Sequence, residues 1–185
     1  MQRIAIVGTS GSGKTTLGRD VARRIGAVSV DLDELNWEPG WTSVSHEEFR
    51  ARLERALEVP SWVTSGNYSK AQEVYLGQAD TLVWLDYSLP VVMARMLRRT
   101  ARRVMLHEVC CNGNYESWRT TFSRDSVVLW ALRTYRRRKA QYGRLFESAE
   151  YCHLNRVRHR TPRETAEWVK GLRGAEVVGQ DRENP

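Results

Sequence analysis

The sequence predicts an α/β fold, a parallel sheet covered by helices on both faces, and three observations predict it. Short apolar runs alternate with segments of helical period along the 185-residue chain. A glycine-rich turn, GTSGSGKTT at residues 8–16, joins the first apolar run to the first helical segment. Two capping signatures, SHEE at 45–48 and TPRE at 161–164, open helices further along. Strands that alternate with helices need crossover connections, which produce a parallel sheet with both faces covered.

The elements follow in order. Residues 3–7 form the first strand, and residues 14–25 a helix with apolar positions at 17, 21, 22 and 25. A second strand covers 28–32, and DELNWEPGW at 33–41 reads as a loop with a Pro-Gly turn. A helix runs from 46 to about 57, and strands follow at 62–65 and 81–86. The Ser-Leu-Pro of 88–90 starts a helix to about 103, while 105–118 has weak periodicity and reads as a lid or loop. A long helix over 122–146, a fifth strand at 151–154 and a last helix ending near 171 complete the pattern. Residues 1–178 are expected to form one domain with a lid at about 104–124, and 179–185 a frayed polar tail.

Composition narrows the function classes. The chain is 41% hydrophobic and 28% charged, a folded profile with core enough to need no disulfides. No apolar stretch spans a bilayer, no signal-peptide pattern opens the sequence, and the expected location is the cytoplasm. The cysteines at 110, 111 and 152 have no metal-ligand spacing and read as free thiols. The histidines at 46, 107, 153 and 159 likewise lack ligand spacing and read as structural or exposed. The net charge of +7 is concentrated: residues 95–144 hold twelve arginines and Lys139 against three acidic residues. Arginine supplies 25 of the 29 basic side chains, and its planar fork suits phosphate.

The turn at 8–16 carries the chemistry. Gly8, Gly13, Lys14 and Thr15 fit G-x-x-x-x-G-K-[ST], in the strand-to-helix context that motif requires. Its backbone from Gly8 through Thr9, Ser10, Gly11, Ser12 and Gly13 to Lys14, Thr15 and Thr16 is expected to cradle the phosphates of a nucleoside triphosphate. Lys14 is expected to reach the β- and γ-phosphates and the Thr15 hydroxyl to ligate Mg²⁺. The GTPase motifs N-K-x-D and D-x-x-G are absent, which leaves a small kinase as the compact alternative.

Beyond this loop, DELNWEPGW (33–41), WVTSGNYS (62–69), LVWLDYSLPVVMARMLRR (82–99) and NGNYESWRTTFSRDSVVLWALR (112–133) carry a family resemblance. The whole length resembles the adenylate-kinase-like small P-loop kinases, in particular the subgroup often labelled DNA topology modulation proteins. The resemblance implies a three-layer P-loop NTPase fold with a five-stranded parallel sheet in the order 2-3-1-4-5 and a small arginine-rich lid. It implies ATP and Mg²⁺ as partners, phosphoryl transfer to a small-molecule acceptor, and an acceptor class that includes nucleotides.

By similarity to shikimate kinase, Asp31 stands on the metal side and Asp33 on the acceptor side, to bind the acceptor or orient its hydroxyl. An alternative reading has Asp33 only capping a turn. By similarity to adenylate kinase, Arg95 packs on adenine, Arg99 meets the phosphates, and Arg138, four residues before Tyr142, bridges donor and acceptor phosphates. Arg119, Arg124, Arg133, Arg136 and Arg137 are weaker candidates. Gly66, Asn67 and Tyr68 come off a strand end near the acceptor. Trp37 and Trp41 either stack on a substrate or plug their loop onto the core.

Two features depart from adenylate kinase: Ser65 stands where an aspartate is usual, and the tryptophan loop replaces the mononucleotide pocket. Competing readings are a nucleic-acid-associated ATPase using the arginine cluster, less favoured because no nucleic-acid-reading motif occurs, and a nucleotide-binding regulator of low turnover.

Overall fold

A computed structural model describes residues 1–110, 112–115 and 127–172. Strand β1 (Arg3–Gly8) lies at the centre of a five-stranded parallel sheet and is almost wholly buried. Beside it on one side run β5 (Trp62–Ser65) and then β2 (Val28–Asp31); on the other run β6 (Thr81–Leu85) and then β9 (Asn155–His159). The order expected from sequence, 2-3-1-4-5, assumed a chain with five strands. Two short hairpins outside the sheet, β3 (Trp37–Glu38) with β4 (Thr42–Ser43) and β7 (Val109–Cys110) with β8 (Asn114–Tyr115), shift the numbering, and the order is β2-β5-β1-β6-β9.

The pleat of β1 divides the core. Ile4 and Ile6 face one layer with Leu17 and Val21 of α1 (Lys14–Ile25) and Val92 of α5 (Leu89–Met105). Trp168 of the last helix, α7 (Pro162–Gly171), packs against the same cluster. Ala5 and Val7 face the other layer with Leu53 of α3 (His46–Ala56), Tyr75 of α4 (Gln72–Leu76) and Leu145 of α6 (Val127–Glu147). Alternation with period two is what a strand covered on both sides requires, and each fully buried Ile or Leu contributes roughly 2 kcal/mol.

Local signals place most helix starts. Glu48 N–H donates to Ser45 Oγ at 3.1 Å at the start of α3, and Glu164 N–H to Thr161 Oγ1 at 3.2 Å at the start of α7. Three expectations need correction. Residues 33–41 are not a loop: a short helix α2 (Leu32–Asn36) follows β2 directly, and the β3–β4 hairpin turns at Gly40. The last strand is not 151–154 but Asn155–His159; Tyr151 and Leu154 are buried in a turn that precedes it, which explains their apolar pattern. The segment 105–118 contains the β7–β8 hairpin, while residues 111 and 116–124 of the expected lid, the first part of the 122–146 helix and the 179–185 tail lie outside the described residues. Among the described residues no helix is long and apolar enough to cross a membrane.

Candidate active site

The buried strand β1 delivers Gly8 to the sheet edge, and the chain then wraps through Thr9–Gly13 into α1. Gly13 is the N-cap of α1 with φ 93°, a left-handed conformation that a side chain strains, and a Cβ there would lie 3.1 Å from Arg95 Nη1. No side chain caps this helix start and no acidic residue occupies its first turn, so its positive end faces outward unneutralised. Thr9 Oγ1 and Ser12 Oγ are buried in the turn without hydrogen-bond partners among the described residues. Ser10 and Gly11 are half-buried on the turn, and Thr16 is exposed. A loop with orphaned hydroxyls and a bare helix start fits a polyanion with many oxygen acceptors.

The Lys14 ammonium folds back onto this loop, donating to the Gly8 carbonyl at 2.9 Å and the Thr9 carbonyl at 3.1 Å. The residue is half-buried, and its charged end is enclosed deeply enough that desolvation pulls its pKa down to about 8. Asp33 and Asp31 oppose that shift, while Arg99 and Arg138 add to it. All four charges therefore stand within electrostatic reach of Lys14, although they come from α2, its N-cap, α5 and α6. Read from sequence, these residues have separate roles, Asp31 on the metal side, Asp33 on the acceptor side and Arg99 and Arg138 on phosphates, and in the fold all four act on one ammonium.

The carboxylates divide their contacts. Asp31 is the N-cap of α2, accepting from Asp33 N–H at 3.1 Å, and the nearby Thr15 hydroxyl favours its charged form. Burial, reinforced by neighbouring Asp33, pushes its carboxyl up to about 6. Thr15 and Asp31 are hard oxygen donors beside the 8–16 loop, a pair that fits Mg²⁺. Asp33 does not cap a turn with its side chain; its Oδ1 accepts from the Tyr68 hydroxyl at 2.8 Å.

The end of β5 supplies the remaining wall. Asn67 Nδ2 donates to the Gly8 carbonyl at 2.7 Å, and its Oδ1 is buried with no partner among the described residues. Gly66 has φ 157°, and a Cβ there would lie 2.5 Å from Leu32 Cβ, so the strand end approaches α2 as only glycine allows. Ser65 pairs with Asp31 across the β2–β5 register, and its buried hydroxyl has no described partner. Asp31 is thus the strand-end carboxylate of that pair.

The arginines take different places. Arg95 donates from Nη1 to the Ser12 carbonyl at 2.8 Å and lies 5.0 Å over the Tyr87 ring, so it braces the 8–16 loop. Arg138 donates to Gln141 Oε1 at 3.4 Å and lies 5.6 Å over the Trp130 ring; it also neighbours Tyr142, whose hydroxyl burial pushes up to about 12. Arg133, Arg136 and Arg137 are exposed, and Arg119 and Arg124 lie outside the described residues.

Trp37 and Trp41 meet edge to face at 5.8 Å, and Trp41 is 41% exposed, so the pair is not a plug in the core. Beside Tyr68 lies a cavity lined by Asn36, Ser43, Val44, His46, Phe49 and Lys70, a mixed polar and apolar wall that the sequence did not place in the site. They come together only through the packing of α2, α3 and the segment after β5. Asp86, which ends the apolar run LVWL, is 4% exposed and bound to Lys139 at 2.8 Å and Arg158 at 2.6 Å. Its charge is fully engaged away from the loop.

No family model and no curated protein matches the chain. Among solved structures it is similar to an unliganded sugar kinase from Janibacter sp. HTCC2649, at 16% identity and a TM-score of 0.51 over 93% of this chain and 94% of that one. It is also similar to a gluconokinase from Sinorhizobium meliloti 1021, at 17% identity and a TM-score of 0.51 over 91% of this chain and 87% of that one. At such identities the likeness concerns architecture alone: the chain shares the fold of these two structures.

Proposed function

We propose that this protein transfers the γ-phosphoryl group of ATP, with Mg²⁺, to a hydroxyl of a small-molecule acceptor. The observation that carries the reading is the convergence of Asp31, Asp33, Arg99 and Arg138 on Lys14 at the head of a bare helix start. Phosphoryl transfer asks mainly for positioning and for positive charge around the moving group. The loop of residues 8–16 holds the triphosphate, and Lys14 exchanges its carbonyl partners for phosphate oxygens. Arg99 and Arg138 neutralise charge on the transferring group, and Arg95 holds the loop's shape through Ser12. Thr15 and Asp31 would hold the metal, which neutralises phosphate charge when bound.

Asp33 receives the proton of the acceptor hydroxyl as its oxygen bonds to the γ-phosphorus and the bond to the β–γ bridging oxygen breaks. Tyr68 keeps that carboxylate in place. The cavity beside Tyr68 offers amide, hydroxyl, imidazole and ammonium groups, which suits a hydroxylated acceptor. The kinase names of the two similar structures make sugars and sugar acids the first acceptors to try, with nucleoside monophosphates beside them.

The test incubates the protein with ATP·Mg²⁺ and a panel of sugars, sugar acids and nucleoside monophosphates, and follows ADP and phosphorylated product. Product that disappears with Lys14→Ala supports the reading; product that persists refutes this site.

A further inference from the structure

Helix α2 carries Asp33 but is only five residues long, too short to hold its shape unaided. Its N-terminal end is tied by the Asp31 cap. Its C-terminal end is tied from elsewhere in the chain. Asn112 Nδ2 donates to the Glu34 carbonyl at 2.8 Å and to the Trp37 carbonyl at 2.7 Å. Asn114, 4% exposed, accepts from Trp41 N–H at 2.9 Å through Oδ1 and donates to the Glu38 carbonyl at 2.9 Å through Nδ2. Both asparagines belong to the β7–β8 hairpin, and Asn112 has φ 58°, a left-handed turn conformation that asparagine tolerates. The hairpin follows directly from α5, the helix of Arg95 and Arg99.

Four hydrogen bonds therefore fasten the arginine-bearing arm to the carboxylate-bearing loop. Each is a side-chain amide on a backbone group, so the clasp reads backbone shape and depends on the amide itself. We propose that Asn112 and Asn114 are positioning residues: they lock the α2–β3–β4 segment to the end of α5 and so hold Asp33 opposite Lys14. Asp33 has its acceptor-side role only if the phosphoryl-transfer reading holds, but the clasp itself is measurable without turnover.

The discriminating substitution is Asn112→Asp, which keeps size and turn preference but replaces two donors with a carboxylate facing two carbonyls. A packing role tolerates it; the clasp does not. The full chain, wild type and Asn112→Asp, Asn112→Ala and Asn114→Ala, is followed by hydrogen–deuterium exchange. In parallel kcat and the KM for ATP are measured with the acceptor that the panel identifies.

Exchange over residues 34–41 is expected to quicken about tenfold in Asn112→Asp and Asn112→Ala alike, with residues 62–68 unchanged. Asn114→Ala should release the Trp41 amide. With Asn112→Asp, kcat is expected to fall about tenfold while the KM for ATP stays unchanged, since Asp33 loses its place and the 8–16 loop keeps its own. Asn112→Asp behaving as wild type, or acceleration spread over the whole sheet, would overturn the proposal. Faster exchange at 34–41 with kcat unchanged would overturn the positioning role. Binding of a non-hydrolysable ATP analogue with Mg²⁺ to the wild type is measured alongside; its failure removes the phosphoryl-transfer reading and leaves the clasp to be judged by exchange.

Discussion

Lys14 and Asn67 donate to one oxygen: the Gly8 carbonyl receives Nζ at 2.9 Å and Nδ2 at 2.7 Å. The second partner of Lys14, the Thr9 carbonyl, also accepts from Ser12 N–H at 3.2 Å. Both carbonyls therefore stay bonded when the ammonium turns away, and the lysine is held in reserve without being needed by the loop.

Replacing that lysine should stabilise the protein. Its pKa lies near 8 against an ordinary 10.5, so between those values the unfolded chain binds more protons and folding stability rises with pH. Lys14→Met removes the buried charge and leaves no carbonyl unbonded. The variant should gain on the order of 2 kcal/mol at pH 7. The gap from wild type should close between pH 8 and 10.5, as read by denaturant unfolding across that range. A variant less stable at every pH would contradict the enclosure of the ammonium.

Asp31 works in the opposite direction on the pH scale. With its carboxyl raised to about 6 from 3.8, the folded chain holds the extra proton, so this residue's contribution falls as pH rises from about 4 to 6. Asp31→Asn should be more stable than wild type at pH 7, by an amount that vanishes below about pH 4. The same variant should lose the Mg²⁺-dependent tightening of ATP-analogue binding, and wild type should lose it below about pH 6. Calorimetric titration with and without Mg²⁺ reads both.

Asp33→Asn should lower turnover on the order of 10²- to 10³-fold, with ATP-analogue affinity changed less than about twofold. Tyr68→Phe, which removes one hydrogen bond to that carboxylate, should cost about tenfold in turnover. Equal losses in analogue affinity would place both residues on the nucleotide side.

Gly66→Ala should be among the costliest single substitutions. The new Cβ meets Leu32 at 2.5 Å, with backbone strain added, and the loss should reach about 3 kcal/mol. Thermal unfolding checks it; a melting temperature within 2 °C or so of wild type would mean that β5 and α2 separate easily.

How much of this was legible beforehand depended on range. The start and end of α1, the caps at Ser45 and Thr161, and the loop at 8–16 rest on neighbours a few residues away, and there sequence and structure coincide. Buried Tyr151 and Leu154 mimicked a strand because an apolar turn under a sheet edge has the same composition as the strand it precedes. The 33–41 segment read as a loop because the bonds that tie the C-terminal end of α2 come from Asn112, 78 and 75 residues away in sequence. Arg99 and Arg138 were nameable as charges suited to phosphate and Asp33 as an acceptor-side carboxylate; that Lys14 feels all three is a product of topology. The cavity wall at His46 and Lys70 carried no local signal, since both are exposed residues that only the fold brings beside Tyr68.

The oxygen pair formed by Thr15 and Asp31 has a consequence for how magnesium travels. Among the described residues no cluster of three or more metal-binding side chains exists. A single carboxylate and a hydroxyl compete poorly with water for an ion that dehydrates reluctantly. The ion would then be delivered as a chelate already wrapped in the triphosphate, and the resting protein would be indifferent to its supply. Prolonged dialysis against EDTA should leave the melting curve where it was, and activity should return in full on the first addition of ATP·Mg²⁺.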